Sequence, residues 1–295
     1  MRAKRNFLII PAILLLMLSL TFSACSYQAN ETDPGQVSEN VPRAEVNVMS
    51  WNIWHENVFT GQNTNWDRLS KVVEIVDRYL PDVFMTQETT DWWVIYLMQN
   101  LPTQYTWAYT QSNGHSMVIP DLPGNSTHPD ETSLAIFYNK EKLELLDNGM
   151  FWLSDTPDIM SKYDEATCFR ITTWAKFRDI SSDREFICVN THLSKASENQ
   201  FKVLMRFVEE NIDTPMILAG DFNKNKKSDM IKSLNAYTLL KDASQASKNM
   251  WTESDSNVDW MFVSRDKVDV LYYKAVLDIM NISDHYARFA KLSIH

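Results

Sequence analysis

Oxygen and imidazole side chains stand at the ends of short apolar runs in this sequence, where open sheets place active-site groups. Asn52 follows Val46–Trp51, Glu88 closes the run from Asp82, and Asn190-Thr191-His192 follows Ile187–Val189. Asp221-Phe222-Asn223 follows Ile217–Gly220, Asp259 lies within Val258–Phe262, and Ser283-Asp284-His285 precedes the last apolar run. A hard divalent cation takes oxygen ligands and keeps water in its remaining positions. Asn52, Glu88 and Asp284 would supply those oxygens, which suits Mg²⁺ or Mn²⁺. Hydrolysis of a phosphate ester further needs a group to orient or deprotonate water, and cationic or proton-donating groups on the phosphoryl oxygens and leaving group. Asp221, His192, His285 and Arg170 fit those tasks. A carboxylate beside His285 would fix its tautomer and favour the charged ring, and Asp259 is the natural partner. Taken singly, each has a plain alternative: Asp221 as a helix cap, Asn52 and Asn223 as turn residues, Asp259 in a surface ion pair. The combination carries the chemistry.

The elements that must position these groups are legible as alternating strand and helix periodicity. Val46–Trp51 and Asp82–Thr86 read as buried strands. Between them Leu69, Val72, Val73, Val76 and Leu80 recur at helical spacing behind an Asn65 cap. Phe186–Asn190 and Met216–Ala219 flank a second helix, with Phe201, Leu204, Phe207 and Val208 as its apolar stripe after a Ser197-x-x-Gln200 capping pattern. Ser133–Tyr138, Leu143–Leu153, Thr172–Phe177 and Arg184–Asn190 read as antiparallel strands, the last two joined over Ile180–Asp183. In that register Cys188 faces a residue near Trp174 or Ala175, away from Cys168, so both cysteines are expected to be reduced. Two packed sheets with helices outside account for this order: an α/β sandwich in four layers, its sheets mostly antiparallel.

Length and charge set the outer limits. The 295 residues are 44% hydrophobic and 22% charged, enough to build a sizeable core. A formal net charge of −10 argues against a broad basic face that coats nucleic acid. The three cysteines, Cys25, Cys168 and Cys188, are too few and too scattered for a disulfide framework or a zinc finger. Arg2, Lys4 and Arg5 precede an apolar run from Phe7 to Leu20, shorter than the about 20 residues that span a bilayer. Residues 1–24 therefore read as a signal peptide. Phe22-Ser23-Ala24-Cys25 resembles a bacterial lipobox, which predicts an exported protein held at the extracytoplasmic face of the membrane by lipid on Cys25, the alternative being plain secretion. Cleavage there takes the formal charge to −13. Residues 25–43 are polar and read as a tether, with the catalytic domain spanning 44–295.

Seven motifs, in order along the chain, resemble the endonuclease/exonuclease/phosphatase superfamily, the deoxyribonuclease-I-like fold. They are VMSWNIW around Asn52, PDVFMTQE ending at Glu88, CFRITTWAKF around Arg170, VNTHL around His192, ILAGDFN around Asp221 and Asn223, DWMFVS at Asp259, and SDHYARFA around Asp284 and His285. The resemblance implies a metal ligand at Glu88, with Asn52 and Asp284 completing or supporting the site. It implies that Asp221 activates water, that Asn223 holds phosphate or metal, that His192 and His285 contact the scissile phosphate, and that Asp259 pairs with His285. It also implies an acid supporting His192, for which Glu131 is the nearest match and Asp130 a competitor.

The expectation is an extracytoplasmic, divalent-metal-dependent hydrolase of phosphoester bonds, whether phosphodiesterase, nuclease or phosphatase, acting as a monomer. Its substrate would be nucleic acid, a phospholipid head group or a small ester. Loops 52–66, 113–131 and 154–167 would select it. The lysines of Asn223-Lys224-Asn225-Lys226-Lys227 would meet a polyanion or form a solvated loop. The alternative from another class is a non-catalytic surface lipoprotein that binds a ligand or partner. Among the tryptophans, Trp51, Trp174 and Trp260 read as core, whereas Trp54, Trp92, Trp93 and Trp107 would border the cleft or touch a membrane. His55, His115, His128 and His295 read as surface residues.

Overall fold

Two strand–helix–strand units frame the structure, a computed structural model that describes residues 42–54, 65–89, 91–112, 115–116, 133–166, 168–249, 254, 256–277 and 282–295. The first unit is β1 (Ala44–Asn52), α1 (Asn65–Tyr79) and β2 (Val83–Thr89). After it come α2 (Asp91–Asn100), β3 (Tyr105–Ser112), β4 (His115–Ser116), β5 (Ser133–Asn139), β6 (Leu143–Trp152) and β7 (Ile171–Asp179). The second unit is β8 (Glu185–His192), α3 (Glu198–Glu210) and β9 (Met216–Asp221). The chain then runs through α4 (Asp229–Ala236), β10 (Leu240–Asp242), α5 (Ala243–Ala246), β11 (Asp259–Ser264), β12 (Val268–Val276) and β13 (Ala287–Ile294).

The strands form a seven-stranded sheet, β12-β13-β1-β2-β5-β3-β4, and a six-stranded sheet, β10-β11-β9-β8-β7-β6. Only β1·β2 and β8·β9 are parallel, as their helical crossovers require. Every other pairing among the described residues is antiparallel, the inner strand β13 being zipped to β1 from Ala44↔Ile294 to Ser50↔Arg288. Val46, Val48 and Met85 of one sheet meet Phe177, Cys188, Ile217 and Met261 of the other in the central core. On the outer face of the first sheet α1 and α2 bury Leu69, Val72, Ile75, Val76, Trp93 and Leu97. On the outer face of the second, Val203, Leu204 and Val208 of α3 and Met230, Ile231 and Leu234 of α4 do the same. Alternation along a strand explains the division: Val46 and Val48 of β1 face the central core, Met49 and Trp51 the helical layer. The architecture is the expected four-layer α/β sandwich.

Local expectations fared unevenly. The β7–β8 register pairs Ala175 with Cys188, and Cys168 and Cys188 are both free thiols. The capping pattern at α3 is built differently: Ser197 caps without a side-chain hydrogen bond. Gln200 turns back to Ser194 instead, its Oε1 accepting from the Ser194 N–H at 2.8 Å and its Nε2 donating to Oγ at 3.1 Å. Trp51 and Trp260 are core residues as expected, but Trp174 is only half-buried, and Trp93, placed at the cleft by the sequence, is fully buried under α1. The signal peptide, Cys25, the tether apart from Pro42 and Arg43, Asp130 and Glu131, residues 55–64 of the first loop and nearly all of loop 113–131 lie outside the described residues. Among the described residues no helix is long and apolar enough to cross a membrane.

Candidate active site

The C-terminal ends of the two parallel strand pairs open on the same end of the sandwich, and sheet register does most of the positioning. In the first sheet Asn52 pairs with Gln87, one residue before Glu88. In the second, Asp221 lies between His192 on β8 and Asp259 on β11. Glu88 has φ +57° where the β2–β5 ladder slips between Thr86 and Thr89, a bulge that re-aims a side chain at a strand end. Asn223 has φ +50°, a left-handed position that asparagine tolerates, and its N–H donates to Asp221 Oδ1 at 2.7 Å. Gly220 makes the close approach possible: a Cβ there would lie 1.9 Å from the Thr191 carbonyl oxygen, and φ is +145°.

Asp221 is the hub. His192 Nε2 lies 3.4 Å and His285 Nε2 3.8 Å from its Oδ2, and Asn52 Nδ2 donates to the same oxygen at 3.2 Å. Asn52 Nδ2 also donates to Glu88 Oε1 at 3.0 Å, while its Oδ1 accepts from the Trp54 N–H. Asn52 thus bridges the two acids as a donor. The oxygen ligand expected of it is engaged by the backbone in this orientation. Burial and the neighbouring Asp259 push the Asp221 carboxyl up to about 7, against the pull of His285 and its hydrogen bonds.

The two histidines are set to opposite states. Asp259 grips His285 Nδ1 with both carboxylate oxygens at 2.9 Å. Burial disfavours the cation, but this carboxylate, with Asp221 and Asp284 behind it, lifts the ring to about 10. Arg288 stands on the other side of Asp259, with Nη2 3.8 Å from Oδ2. His192 is held well below its ordinary value by burial, and then by the positive charges of Arg170 and His285. Arg170 Nη1 lies 3.0 Å from His192 Nδ1. A guanidinium only donates, so Nδ1 accepts and the single proton of the neutral ring sits on Nε2, facing Asp221. Among the described residues the partner of His192 Nδ1 is therefore a cation rather than the expected acid. Asn223 Nδ2 is anchored on the Leu193 carbonyl at 2.8 Å and lies 3.2 Å from His192 Nε2.

The ligand atoms of Glu88, His192 and Asp221 lie within 4.8 Å of one another, as do those of Asp221, Asp259 and His285. Asp284 joins neither group. Its half-exposed carboxylate has Oδ1 3.9 Å from His285 Nε2, and burial together with Glu88 raises its carboxyl against the opposing charge of His285. Packed acids of this kind, one of them driven toward protonation, fit a hard divalent cation near Glu88, with Asp221 and Asp284 within electrostatic reach. Bound there, the cation would supply Lewis-acid neutralisation of phosphoryl charge.

Residues 49–160 match the model of the endonuclease/exonuclease/phosphatase family. Over that stretch the chain is similar to the family. The fold agrees with it: an endonuclease/exonuclease/phosphatase from Bacteroides vulgatus superposes with a TM-score of 0.71 at 24% identity, over 85% of this chain and 100% of that one. The mannosyl-6-phosphatase Bt3783 of Bacteroides thetaiotaomicron gives 0.68 at 23% identity, over 84% and 99%. In sequence, uncharacterized protein L388 of Acanthamoeba polyphaga mimivirus is 26% identical over 186 residues, 58% of this chain and 66% of that protein, so the chain spans just under two thirds of that relative's length.

Family motifs led to the groups that converge and missed those beneath them. Gln87 is fully buried and ties the two sheets together under the site, its Nε2 donating to Ser50 Oγ at 3.1 Å and to Asn190 Oδ1 at 2.7 Å. Asn190 in turn donates to the carbonyls of Thr86 and Ala135. Arg288, within SDHYARFA, is likewise buried, with Nη2 3.8 Å from Asp259 Oδ2. The lysine strip is partly committed already: Lys224 Nζ donates to the Lys195 carbonyl at 2.7 Å and meets Glu198 at 3.2 Å.

Proposed function

We propose that this chain is a divalent-metal-dependent hydrolase of phosphoester bonds, exported and held at the extracytoplasmic face of the membrane through Cys25. The observation that carries the catalytic reading is Asp221, a buried carboxylate flanked by one neutral and one charged imidazole. Its raised affinity for protons matches a base working near neutral pH, which is what orienting and deprotonating an attacking water requires. His192 donates from Nε2 to a phosphoryl oxygen without adding charge. His285, kept cationic by Asp259, balances charge on the phosphoryl group and protonates the leaving oxygen. Arg170 orients His192 and adds a second positive charge on the substrate side. Glu88 and Asp284, with Asn52 beside them, hold Mg²⁺ or Mn²⁺, which leaves Asp221 to act on the water.

The likeness to a mannosyl-6-phosphatase favours a small phosphate ester over a polymer, and the acidity of the chain points the same way. Protein beginning at Ser26 would be assayed with Mg²⁺ or Mn²⁺, and with a chelator as control. The substrates would be p-nitrophenyl phosphate, bis(p-nitrophenyl) phosphate, mannose 6-phosphate, DNA and sphingomyelin. Chelator-sensitive turnover of the monoesters is expected. Turnover of DNA or sphingomyelin alone would reassign the substrate, and a folded protein that turns over nothing on the panel would favour the non-catalytic ligand-binding reading.

A further inference from the structure

Arg68 is the one arginine of α1 that the core has taken in completely, with no exposed surface. A guanidinium so placed costs free energy unless it is hydrogen-bonded. Its Nε donates to the Ile282 carbonyl at 2.7 Å, and its Nη2 donates to the carbonyls of Ile53, also at 2.7 Å, and Trp54. Its Cζ lies 4.8 Å from the Trp93 ring centroid and 5.3 Å from that of Trp54. Those carbonyls belong to two segments 214 and 15 residues away in sequence. One carries Asn52 and ends β1, and the other, Ile282–His285, carries Asp284 and His285. Two further bonds cross between the same segments: Ser283 Oγ donates to the Asn52 carbonyl at 2.6 Å, and Trp51 Nε1 to the His285 carbonyl at 3.0 Å.

From this juxtaposition we infer that Arg68 is a positioning residue, which fixes the Asn52 segment against the Asp284–His285 segment and so sets the spacing of the site's ligand and imidazole groups. The inference rests on the functional reading above, but the three hydrogen bonds that carry it go to backbone carbonyls and none depends on the substrate. The planar fork is what the task requires: its nitrogens point in fixed, diverging directions, whereas a lysine ammonium is a single point on a flexible stem. The charge contributes too. Asp284 and Glu88 are the acids whose fields act most strongly on it, so a buried cation stands behind the acids that would hold the metal and limits their mutual repulsion before metal arrives.

The test uses protein beginning at Ser26 with Arg68→Lys and Arg68→Gln. Val76→Ala serves as a stability control on the same helix, about 12 Å farther along it. Three quantities are read well below each melting temperature: amide hydrogen exchange in segments 51–54 and 282–286 of metal-free protein, Mn²⁺ affinity by calorimetry, and kcat and KM. Both Arg68 variants should speed exchange in the two segments and weaken Mn²⁺ binding by about tenfold, the scale usual for losing a group that orients metal ligands. Their loss should fall on kcat more than on KM. Val76→Ala should lower Tm without any of these changes. Should Arg68→Gln fail to fold, Arg68→Lys carries the comparison, since it keeps the charge and most of the buried stem. Exchange and Mn²⁺ affinity in Arg68→Lys equal to those of Val76→Ala would overturn the inference. If the parent protein turns over nothing but the exchange and metal effects are present, the positioning role stands and the functional reading fails. If the parent is active and those effects are absent, only the positioning role fails.

Discussion

Replacing Asp259 by Asn separates the charge of the histidine clamp from its geometry. Asn can still accept from His285 Nδ1, so the ring keeps its orientation, but the carboxylate that raises the ring to about 10 is gone. Burial then acts downward, opposed by the charges of Asp221 and Asp284, which remain. The His285 value should fall toward the ordinary 6.5. At pH 8 a ring of pKa about 6.5 is protonated only about 3% of the time, so a step that needs the imidazolium slows about 30-fold. The parent should show no loss on this account until pH approaches 10. The variant should lose activity on every step above pH 6.5 and recover toward the parent rate as pH falls to 6. Stability follows the same linkage. A ring whose folded value is raised contributes stability that is complete below 6.5 and lost as pH rises through 10, so at pH 8 the contribution is on the order of 3 kcal/mol. The variant's deficit in Tm should therefore be large at pH 6 and shrink toward pH 10. The assays are kcat/KM and thermal unfolding from pH 6 to 10, with the His285 ring proton followed by NMR. A pH–rate profile superimposable on the parent's, in a folded variant whose ring still titrates near 10, would refute the role given to Asp259.

The remaining predictions concern the hub and its supports. Asp221→Asn should reduce kcat by about 10²- to 10⁴-fold. Because the folded value of Asp221 is raised, its ionisation destabilises the metal-free fold above the ordinary carboxyl range, so the variant should melt higher than the parent at pH 8 without metal; a lower Tm would count against that account. Gly220→Ala forces a Cβ into the Thr191 carbonyl at the register that joins His192 to Asp221, and should cost more than about 3 kcal/mol in denaturant unfolding, with loss of activity in whatever remains folded. Arg170→Met removes the donor to His192 Nδ1 and the cation that depresses that ring, so the His192 ring proton should titrate closer to the ordinary range by NMR and kcat should fall by about 10- to 100-fold. Chelation should lower both activity and Tm, and Mn²⁺ should restore both; restored stability without activity would mean that the ion sits away from the reacting phosphate.

The parts of this architecture that were legible in the sequence are those where period and chemistry agree. Strands β1, β2, β8 and β9 are apolar runs that end in polar residues, and those endings are what marked Asn52, Glu88, His192 and Asp221. The stripe of α1 was equally plain. The unread parts were of two kinds. Short edge elements such as β10 and α5 have too few residues for a period to show, and β12, with Lys274 and paired tyrosines among its apolar positions, does not read as buried. The second kind was polarity turned inward. Arg68, Gln87 and Arg288 look in sequence like ordinary surface residues, because what makes them structural is a partner strand or loop far along the chain. The Ser197-x-x-Gln200 pattern failed for a related reason: Gln200 found a better acceptor and donor in Ser194 than the helix end offered.

The place of β13 bears on how the molecule is made. It is the last strand in sequence, yet it lies inside its sheet, paired on one side with β12 and on the other with β1. A nascent chain can pair β8 with β9 and assemble most of the second sheet while residues 287–294 are still being added. The first sheet stays divided until they arrive, and Trp51 has no His285 carbonyl to bond before then. Such long-range closure is slow, since the ends of a loop of some 240 residues must meet before any contact rewards them. Closure of the first sheet should therefore come late and all at once, so that a chain stalled or trimmed before residues 287–294 would be folded only in part.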